Sequence, residues 1–340
     1  MEAKTNQLGL SRNDYQGGKS TLCTGCGHDS ISNHIISAAY QIGLNPYEVI
    51  KMSGIGCSSK TPAYFLGRAH GFNSMHGRMA PVATGAKIAN PRLTALGVSG
   101  DGDSASIGLG GFAHLVRRNL PITYIIANNG VYGLTKGQFS ATSEKGATLK
   151  GGLKNPFNEI DLCSLALDLG CGFVARSFSG DGKQLVPLLA AAFKHQGTAV
   201  IDVISPCITF NNHDASSKSY NAIKEHNVVL QELGLISPVE EKVVDYDQGT
   251  TTTVDLPDGS TLVLRKLAHD HDVRDRLGAQ RLIHEAKAKG EILTGLFYID
   301  ENQDTILTNL NLSAKPLAQL SEEQMRPRPE ALSTILTEFR

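Results

Sequence analysis

The sequence predicts an α/β protein with a mostly parallel sheet and helices on both faces. Between residues 93 and 205, apolar segments of strand length alternate with segments that carry apolar residues at helical spacing. Glycine-rich turns follow two of the predicted strands, and the chain contains no internal repeat. Such alternation is typical of parallel sheets whose strands are joined by helical crossovers.

The predicted elements can be assigned in chain order. A glycine- and cysteine-rich loop at 22–28 opens a helix over 30–42, and a strand over 48–52 leads into a second glycine-rich turn at 53–59. Small residues favour a closely packed helix over 76–90. The remaining predicted strands are one ending at Gly100, then 122–129, 173–178 and 199–205, and the remaining helices are one ending near Asn119, then 161–170 and 184–195.

The last hundred residues differ in character from the rest. We divide the chain into a main domain over 1–240 and a small, mostly exposed C-terminal extension over 241–340. Two short strands are predicted within 243–264, around the turn signal Asp258-Gly259, and the charged segment 269–276 follows them.

Composition excludes several function classes. The net charge of -1 provides no long-range attraction to nucleic acid or to anionic lipid, and no apolar stretch approaches the roughly 20 residues of a spanning helix. Neither a nucleic acid nor a membrane is expected as a partner. The first residues lack the pattern of a signal or transit peptide, so a cytoplasmic location is expected, where cysteines serve as ligands or buried thiols more often than as disulfides.

Oxygen-bearing side chains follow two successive predicted strands. Asp101 lies in the turn Gly100-Asp101-Gly102-Asp103, and Asn129 ends the next strand. The carboxyl ends of parallel strands share one crevice, and a glycine-rich turn before a helix suits a diphosphate. Mg²⁺ prefers oxygen ligands, which Asp101, Asn129 and the Val131 carbonyl offer. This spacing resembles the thiamine-diphosphate fingerprint.

The six cysteines fall into two groups. Cys163 and Cys171 belong to an apolar helix or its end, where a buried thiol is expected. The other four lie in predicted loops, and they are Cys23, Cys26, Cys57 and Cys207. Four thiolates suit either structural zinc or a [4Fe-4S] cluster, and spacing alone leaves both open.

Six ordered motifs carry a family resemblance over residues 20–230. They are CTGCGH at 23–28, GIGCSSK at 54–60, HGR at 76–78, GDGD at 100–103, NNGVYGLTKGQ at 128–138 and SPC at 205–207. With these motifs the chain resembles the β subunits of the 2-oxoacid:ferredoxin oxidoreductases. The resemblance implies a thiamine-diphosphate-binding fold and an enzyme that oxidatively decarboxylates a 2-oxoacid, passes the electrons through a [4Fe-4S] cluster to ferredoxin, and transfers the acyl group to coenzyme A.

The resemblance also implies roles for particular residues. His76 is expected beside the cofactor, in a catalytic role. The magnesium ligands of the family match Asp101, Asn129 and Val131, and its cluster ligands match Cys23, Cys26, Cys57 and Cys207. Its thiamine-diphosphate contacts match Ile55, Gly56, Cys57, Ser58, His76, Gly77, Gly102, Asp103, Gly133 and Leu134.

One required group is not found in the sequence. Thiamine enzymes need a carboxylate on the pyrimidine ring, and it belongs to a separate pyrimidine-binding domain for which this chain has no room. We therefore expect an α subunit to carry that domain, in an α2β2 heterotetramer.

Substrate choice is predicted from two lysines. Family members acting on pyruvate tend to read Asn-Thr-Gly where this chain reads Leu134-Thr135-Lys136. Lys136 or Lys60 offers a cation to the distal carboxylate of 2-oxoglutarate, because a buried charge pair discriminates against a substrate that lacks the charge.

Three alternatives to this function stay open. They are a β subunit acting on pyruvate or a branched 2-oxoacid, a non-oxidative thiamine-diphosphate decarboxylase or synthase, and a zinc-stabilised binding module.

Overall fold

The fold is described from a computed structural model, over residues 4–135, 137–148, 153–207, 242–255 and 261–339. Its strands are β1 (Val49–Ser53), β2 (His70–Asn73), β3 (Thr94–Gly100), β4 (Ile122–Asn128), β5 (Val131–Tyr132), β6 (Gln138–Phe139), β7 (Phe173–Phe178), β8 (Thr198–Ile204), β9 (Thr251–Asp255), β10 (Thr261–Lys266) and β11 (Ile292–Ile299). Its helices are α1 (Gly27–Ile42), α2 (Met79–Ala89), α3 (Leu109–Arg117), α4 (Leu162–Asp168), α5 (Gly182–Lys194), α6 (Arg276–Ala288), α7 (Ile306–Asn309), α8 (Glu322–Met325) and α9 (Pro329–Glu338).

Nine of the described strands form one sheet, in the order β2-β1-β3-β4-β8-β7-β11-β10-β9. The six strands from β2 to β7 are parallel to their neighbours, as predicted. Their carboxyl ends therefore lie along one edge of the sheet.

Two apolar cores cover the two faces of the sheet. Alternate residues of β4 point to opposite faces, with Tyr124 and Ile126 in one core and Ile125 in the other. Helices α1 and α5 pack on one face, and α2, α3, α4 and α6 pack on the other. The predicted α/β fold with helices on both faces is confirmed.

The C-terminal residues continue the same sheet. Strand β11 pairs antiparallel with β7, β10 pairs parallel with β11, and β9 pairs antiparallel with β10. Leu264, Leu293 and Phe297 are buried, so this part is less exposed than the sequence predicts. The two strands expected within 243–264 are present, and the turn at Asp258-Gly259 lies outside the described residues. The predicted boundary at residue 240 also lies outside them and stays a prediction.

Candidate cofactor site

A crevice opens where the sheet changes direction. Strands β1 and β3 are neighbours, but from β1 the chain goes on to β2 on one side, and from β3 it goes on to β4 on the other. The loops that follow β1 and β3 therefore diverge and leave a space between them, which is where open α/β sheets bind ligands. The glycine-rich turns at 54–58 and 100–103 meet at this point.

Asp103 joins the loops around this crevice. Its Oδ1 accepts hydrogen bonds from the backbone N–H groups of Gly77 (2.7 Å) and Ile55 (3.3 Å). His76 Nδ1 lies against the same oxygen, and Ser99 Oγ donates to Oδ2 at 2.7 Å. Because Asp103 is only 3% exposed, its carboxylate depends on these partners rather than on water. One buried side chain thus fixes the positions of three loops.

Two glycines allow these loops to approach closely. A Cβ atom on Gly54 would overlap the Asp103 carboxylate, and a Cβ on Gly102 would overlap the ring of Tyr132. The Tyr132 hydroxyl in turn donates to the Gly102 carbonyl at 3.1 Å. Because these positions have no side chains, backbone atoms line the crevice and leave it open. A diphosphate-binding turn requires such close approach of the backbone.

Asp101 is the second buried carboxylate at this edge. Its Oδ1 accepts from the Asn129 N–H at 3.3 Å, and Oδ2 accepts from the hydroxyls of Thr142 (2.7 Å) and Ser140. Burial raises the pKa of Asp101, and the hydrogen bonds from these partners offset part of that shift. A cation at Asp101 would favour its charged form.

The oxygen atoms near Asp101 fit a magnesium ion. The Asn129 side-chain oxygen accepts from Val131 N–H at 3.0 Å, which folds residues 129–131 into a turn beside Asp101. Carboxylate, amide and carbonyl oxygens are the hard ligands that Mg²⁺ prefers. Sequence reasoning placed Asp101, Asn129 and Val131 here but missed Ser140 and Thr142, because nothing in the local pattern shows that the turn after β6 folds back onto Asp101.

Almost all the predicted cofactor contacts line one cavity. Every one of them except Gly77 borders it, together with Asp101, Asn129 and Val131. Gly77 lies just behind, through its hydrogen bond to Asp103. Buried His28 also borders the cavity and was not predicted to do so; its Nδ1 lies 2.8 Å from Ser205 Oγ, and burial lowers its pKa to about 4.

The two predicted substrate lysines have different outcomes. Lys60 is exposed, and it lies near enough to Cys57 to lower the pKa of that thiol in part. Lys136 lies outside the described residues.

The loop cysteines are neighbours in space. Burial, with smaller contributions from the nearby Cys207 and Cys23, raises the pKa of Cys26 to about 12. Burial likewise raises the pKa of Cys57, again with contributions from Cys207 and Cys23. In the described part of the chain, no three His, Cys, Asp or Glu side chains form a ready metal-binding group. Cys163 and Cys171 are buried, as predicted.

The comparisons with known proteins decide the family. The family model for the C-terminal TPP-binding domain of thiamine pyrophosphate enzymes matches residues 54–203. The chain is 43% identical over 199 residues to a 2-oxoacid:ferredoxin oxidoreductase subunit beta of Saccharolobus solfataricus, a match that spans 58% of this chain and 65% of that protein. It is 37% identical over 208 residues to the 2-oxoglutarate synthase subunit KorB of Methanocaldococcus jannaschii, which spans 60% of this chain and 75% of the relative.

The chain belongs to the 2-oxoacid:ferredoxin oxidoreductase β subunits. A solved structure of the 2-oxoglutarate:ferredoxin oxidoreductase from Magnetococcus marinus, with 2-oxoglutarate, coenzyme A and succinyl-CoA bound, matches it with a TM-score of 0.73 and 28% identity. That match covers 100% of this chain and 99% of the other.

Two further facts bear on this β subunit. The chain spans less than two thirds of the length of the Saccharolobus solfataricus relative. Among the helices in the described ranges, none has both the length and the apolar character needed to cross a membrane.

Proposed function

We propose that this β subunit forms the thiamine-diphosphate site of an enzyme that oxidatively decarboxylates 2-oxoglutarate. The succinyl group would pass to coenzyme A, and the electrons would pass singly through a [4Fe-4S] cluster to ferredoxin. The observation that carries the proposal is the meeting of two buried carboxylates, Asp101 and Asp103, with glycine-rich backbone at the switch point of the sheet. The relatives' names and the family membership support the reaction class.

The buried carboxylates would have separate tasks. Asp101, Asn129 and the Val131 carbonyl would hold Mg²⁺ on the diphosphate, and Asp103 would hold the loops against which the cofactor lies. Thiamine diphosphate, when bound, supplies the carbanion-stabilising chemistry that loss of carbon dioxide from a 2-oxoacid requires. His76 borders the same cavity in contact with Asp103, so it is placed to exchange a proton with a bound substrate.

The four loop cysteines would hold the cluster. Burial raises the pKa of Cys26 and of Cys57, so a cluster must displace protons from these thiols as it binds. Cys57 borders the cofactor cavity itself, which would place a cluster on Cys57 directly beside the reacting centre. Zinc in the same ligand set would have no part in such a reaction.

A partner subunit would complete the site. Large apolar side chains stay exposed at the cavity, including Leu134 at 50%, which borders it, and Met75 at 78%, which precedes His76. Ile107 is also exposed and would contact any Cβ placed on Gly77, so it lies beside the same loop. Exposed apolar groups that cluster at a site mark an interaction surface. We propose that an α subunit carrying the pyrimidine-binding domain covers this surface.

The preference for 2-oxoglutarate would depend on a cation at the mouth of the site. Lys60 is exposed next to Cys57, and Lys136 follows Leu134 and Thr135, which border the cavity. Either ammonium group would pair with the distal carboxylate of 2-oxoglutarate, a partner that pyruvate lacks.

The deciding experiment is an anaerobic co-purification with the α subunit, followed by methyl viologen reduction. We expect reduction with 2-oxoglutarate, dependent on coenzyme A, a brown protein containing iron and sulfide, and little reduction with pyruvate. A preference for pyruvate would overturn the substrate assignment and leave the reaction class in place. A colourless protein that contains zinc and reduces nothing would overturn the proposed reaction.

A further inference from the structure

Asn128 lies next to the proposed magnesium ligand Asn129, but its side chain forms hydrogen bonds with a different set of residues. Its side-chain Nδ2 donates to Asp202 Oδ1 at 3.0 Å. Its Oδ1 accepts from Gly130 N–H at 3.3 Å, and it lies 3.1 Å from Thr142 Oγ1, whose single hydroxyl proton it shares with Asp101. An amide donates only from its nitrogen, so the bond to Asp202 fixes the oxygen toward the turn that carries Asn129.

Asp202 is held by a buried arginine. Arg176 Nε donates to Asp202 Oδ2 at 2.8 Å, and Arg176 Nη2 donates to Asp161 Oδ2 at 2.7 Å. Arg176 and Asp202 are both buried, and Asp161 also caps α4 through the Ser164 N–H at 2.8 Å. Because Arg176 pairs with both carboxylates, it holds Asp202, within β8, and Asp161, at the N-terminus of α4, in one orientation.

The other end of this network reaches the metal site. Thr142 Oγ1 lies 2.7 Å from Asp101 Oδ2, and Asn129 N–H donates to Asp101 Oδ1 at 3.3 Å. Continuous polar contacts thus run from Asp161 through Arg176, Asp202, Asn128 and Thr142 to Asp101. None of the first four residues in that series was assigned a role by the sequence.

We propose that Arg176, Asp202 and Asn128 are positioning residues that hold the 128–131 turn in the shape that binds magnesium diphosphate. The inference rests on the proposed function, since it presumes that Asp101 and Asn129 hold Mg²⁺. The partners of metal ligands typically change metal affinity by about 10- to 100-fold when they are removed. Arg176→Met should therefore weaken binding of thiamine diphosphate and Mg²⁺ without touching either.

The chain contains a closely matched control. Lys266 Nζ lies 2.7 Å from Asp181 Oδ2, and both side chains are buried. Asp181 caps α5 just as Asp161 caps α4. Lys266→Met therefore removes the same kind of buried cation from the same kind of capping aspartate, on the side of the sheet that carries β10 rather than at the metal site.

The experiment compares the two variants, each in complex with the α subunit, by two readouts. Hydrogen exchange of the 129–131 amides reports the turn itself and needs no cofactor. Calorimetric titration with thiamine diphosphate at several Mg²⁺ concentrations reports its function. For Arg176→Met we expect about tenfold faster exchange at these amides and at least a tenfold higher Mg²⁺ concentration for half-maximal binding. For Lys266→Met we expect both values to stay within about twofold of the parent chain.

Three results would decide against the inference or separate it from the proposed function. Equal effects of the two variants would show that Arg176 acts only on general stability. If Arg176→Met folds and its 129–131 amides exchange at the parent rate, the inference is overturned. If Arg176→Met does not fold, Asp202→Asn replaces it and is judged by the same criteria. If the parent complex with the α subunit binds no thiamine diphosphate at all, the proposed function fails, and the exchange data alone decide the inference.

Discussion

The loops after β3 and β10 occupy equivalent places in two similar units. Strand β3 leads through α3 to its parallel neighbour β4, and β10 leads through α6 to its parallel neighbour β11. A cavity borders the carboxyl end of each strand, and the one at β10 has a volume of about 280 Å³. Only the cavity at β3 gathers buried acids, because Asp270, Asp272 and Asp275 beside β10 are exposed.

The difference follows from what lies on the far side of each strand. The neighbour of β3 is β1, a parallel strand whose own loop meets that of β3 at the switch point. The neighbour of β10 is β9, which is antiparallel and contributes no carboxyl end to that edge. A β-α-β unit therefore provides a cavity at the end of its first strand. The loop of a neighbouring parallel strand is needed to make this cavity a binding site.

The largest effect on cofactor binding is expected from a side chain that fills the space between the loops that follow β1 and β3. In Gly54→Ala the new methyl group would overlap the Asp103 carboxylate, which is held on both oxygens and has no room to move. We expect affinity for thiamine diphosphate to fall by about 10- to 100-fold, because overpacking a tight site costs about 1–3 kcal/mol. Calorimetric titration measures this.

Gly110→Ala is the control for that substitution. Gly110 lies in α3 with open space around it, so alanine should raise the free energy of unfolding by about 0.5–1 kcal/mol and leave cofactor affinity unchanged. Equal losses of affinity in the two variants would contradict the role assigned to Gly54.

The second effect compares one aspartate from each unit. Asp103→Ala leaves the Gly77 N–H and the Ser99 hydroxyl buried without that acceptor, at about 1–3 kcal/mol each. Asp275→Ala removes only the cap on α6, where Asp275 accepts from Gly278 N–H at 2.9 Å, at about 1 kcal/mol. Urea unfolding should therefore show a loss at least twice as large for Asp103→Ala, and similar losses would mean that the loops at Asp103 do not depend on it.

The sequence predicts one of these two units much better than the other. Apolar runs such as 122–129 identify the buried parallel strands because they have few polar residues, and β7 is predicted with its exact bounds. Strand β11 was missed, since its pairing with β7 joins residues far apart in the chain and nothing local indicates it. The small strand β2 was missed for a related reason, because all four of its residues are exposed.

The candidate site divides in the same way. Asp101 was predicted because an oxygen-bearing side chain in a glycine-rich turn after a strand has a specific use, and Asp103 was predicted through the family resemblance of the same motif. Thr142 and Arg176 were not, because each acts on the site through contacts between separate segments. Local pattern therefore reveals the groups that would touch a ligand and leaves out those that orient them.

The smallest effect is a dependence of stability on pH that has opposite sign for two lysines. Lys51 in β1 is buried, and its Nζ donates to the carbonyls of Phe65 (2.5 Å) and Leu66 (2.8 Å) and forms no ion pair with a carboxylate of the described residues. Burial lowers the pKa of Lys51 to about 8. Lys183 is exposed, and its hydrogen bond with Asp245 raises its pKa above the usual value.

These directions fix the signs. Between pH 8 and the usual lysine pKa of about 10.4, the unfolded chain binds more protons at Lys51 than the folded chain, so this residue makes stability rise with pH over that interval. At Lys183 the folded chain binds more protons, so its contribution is present at lower pH and is lost as the pH passes its raised pKa. Urea unfolding at pH 8, 9 and 10 should show a smaller rise in Lys51→Met than in the parent chain, and above pH 10 the parent chain should lose stability that Lys183→Met does not lose. If Lys51→Met kept the full rise of stability with pH, Lys51 would stay charged in the folded protein over this pH range despite its burial. The contrast between the buried parallel strands and the exposed contacts of the C-terminal residues would then not extend to their charged groups.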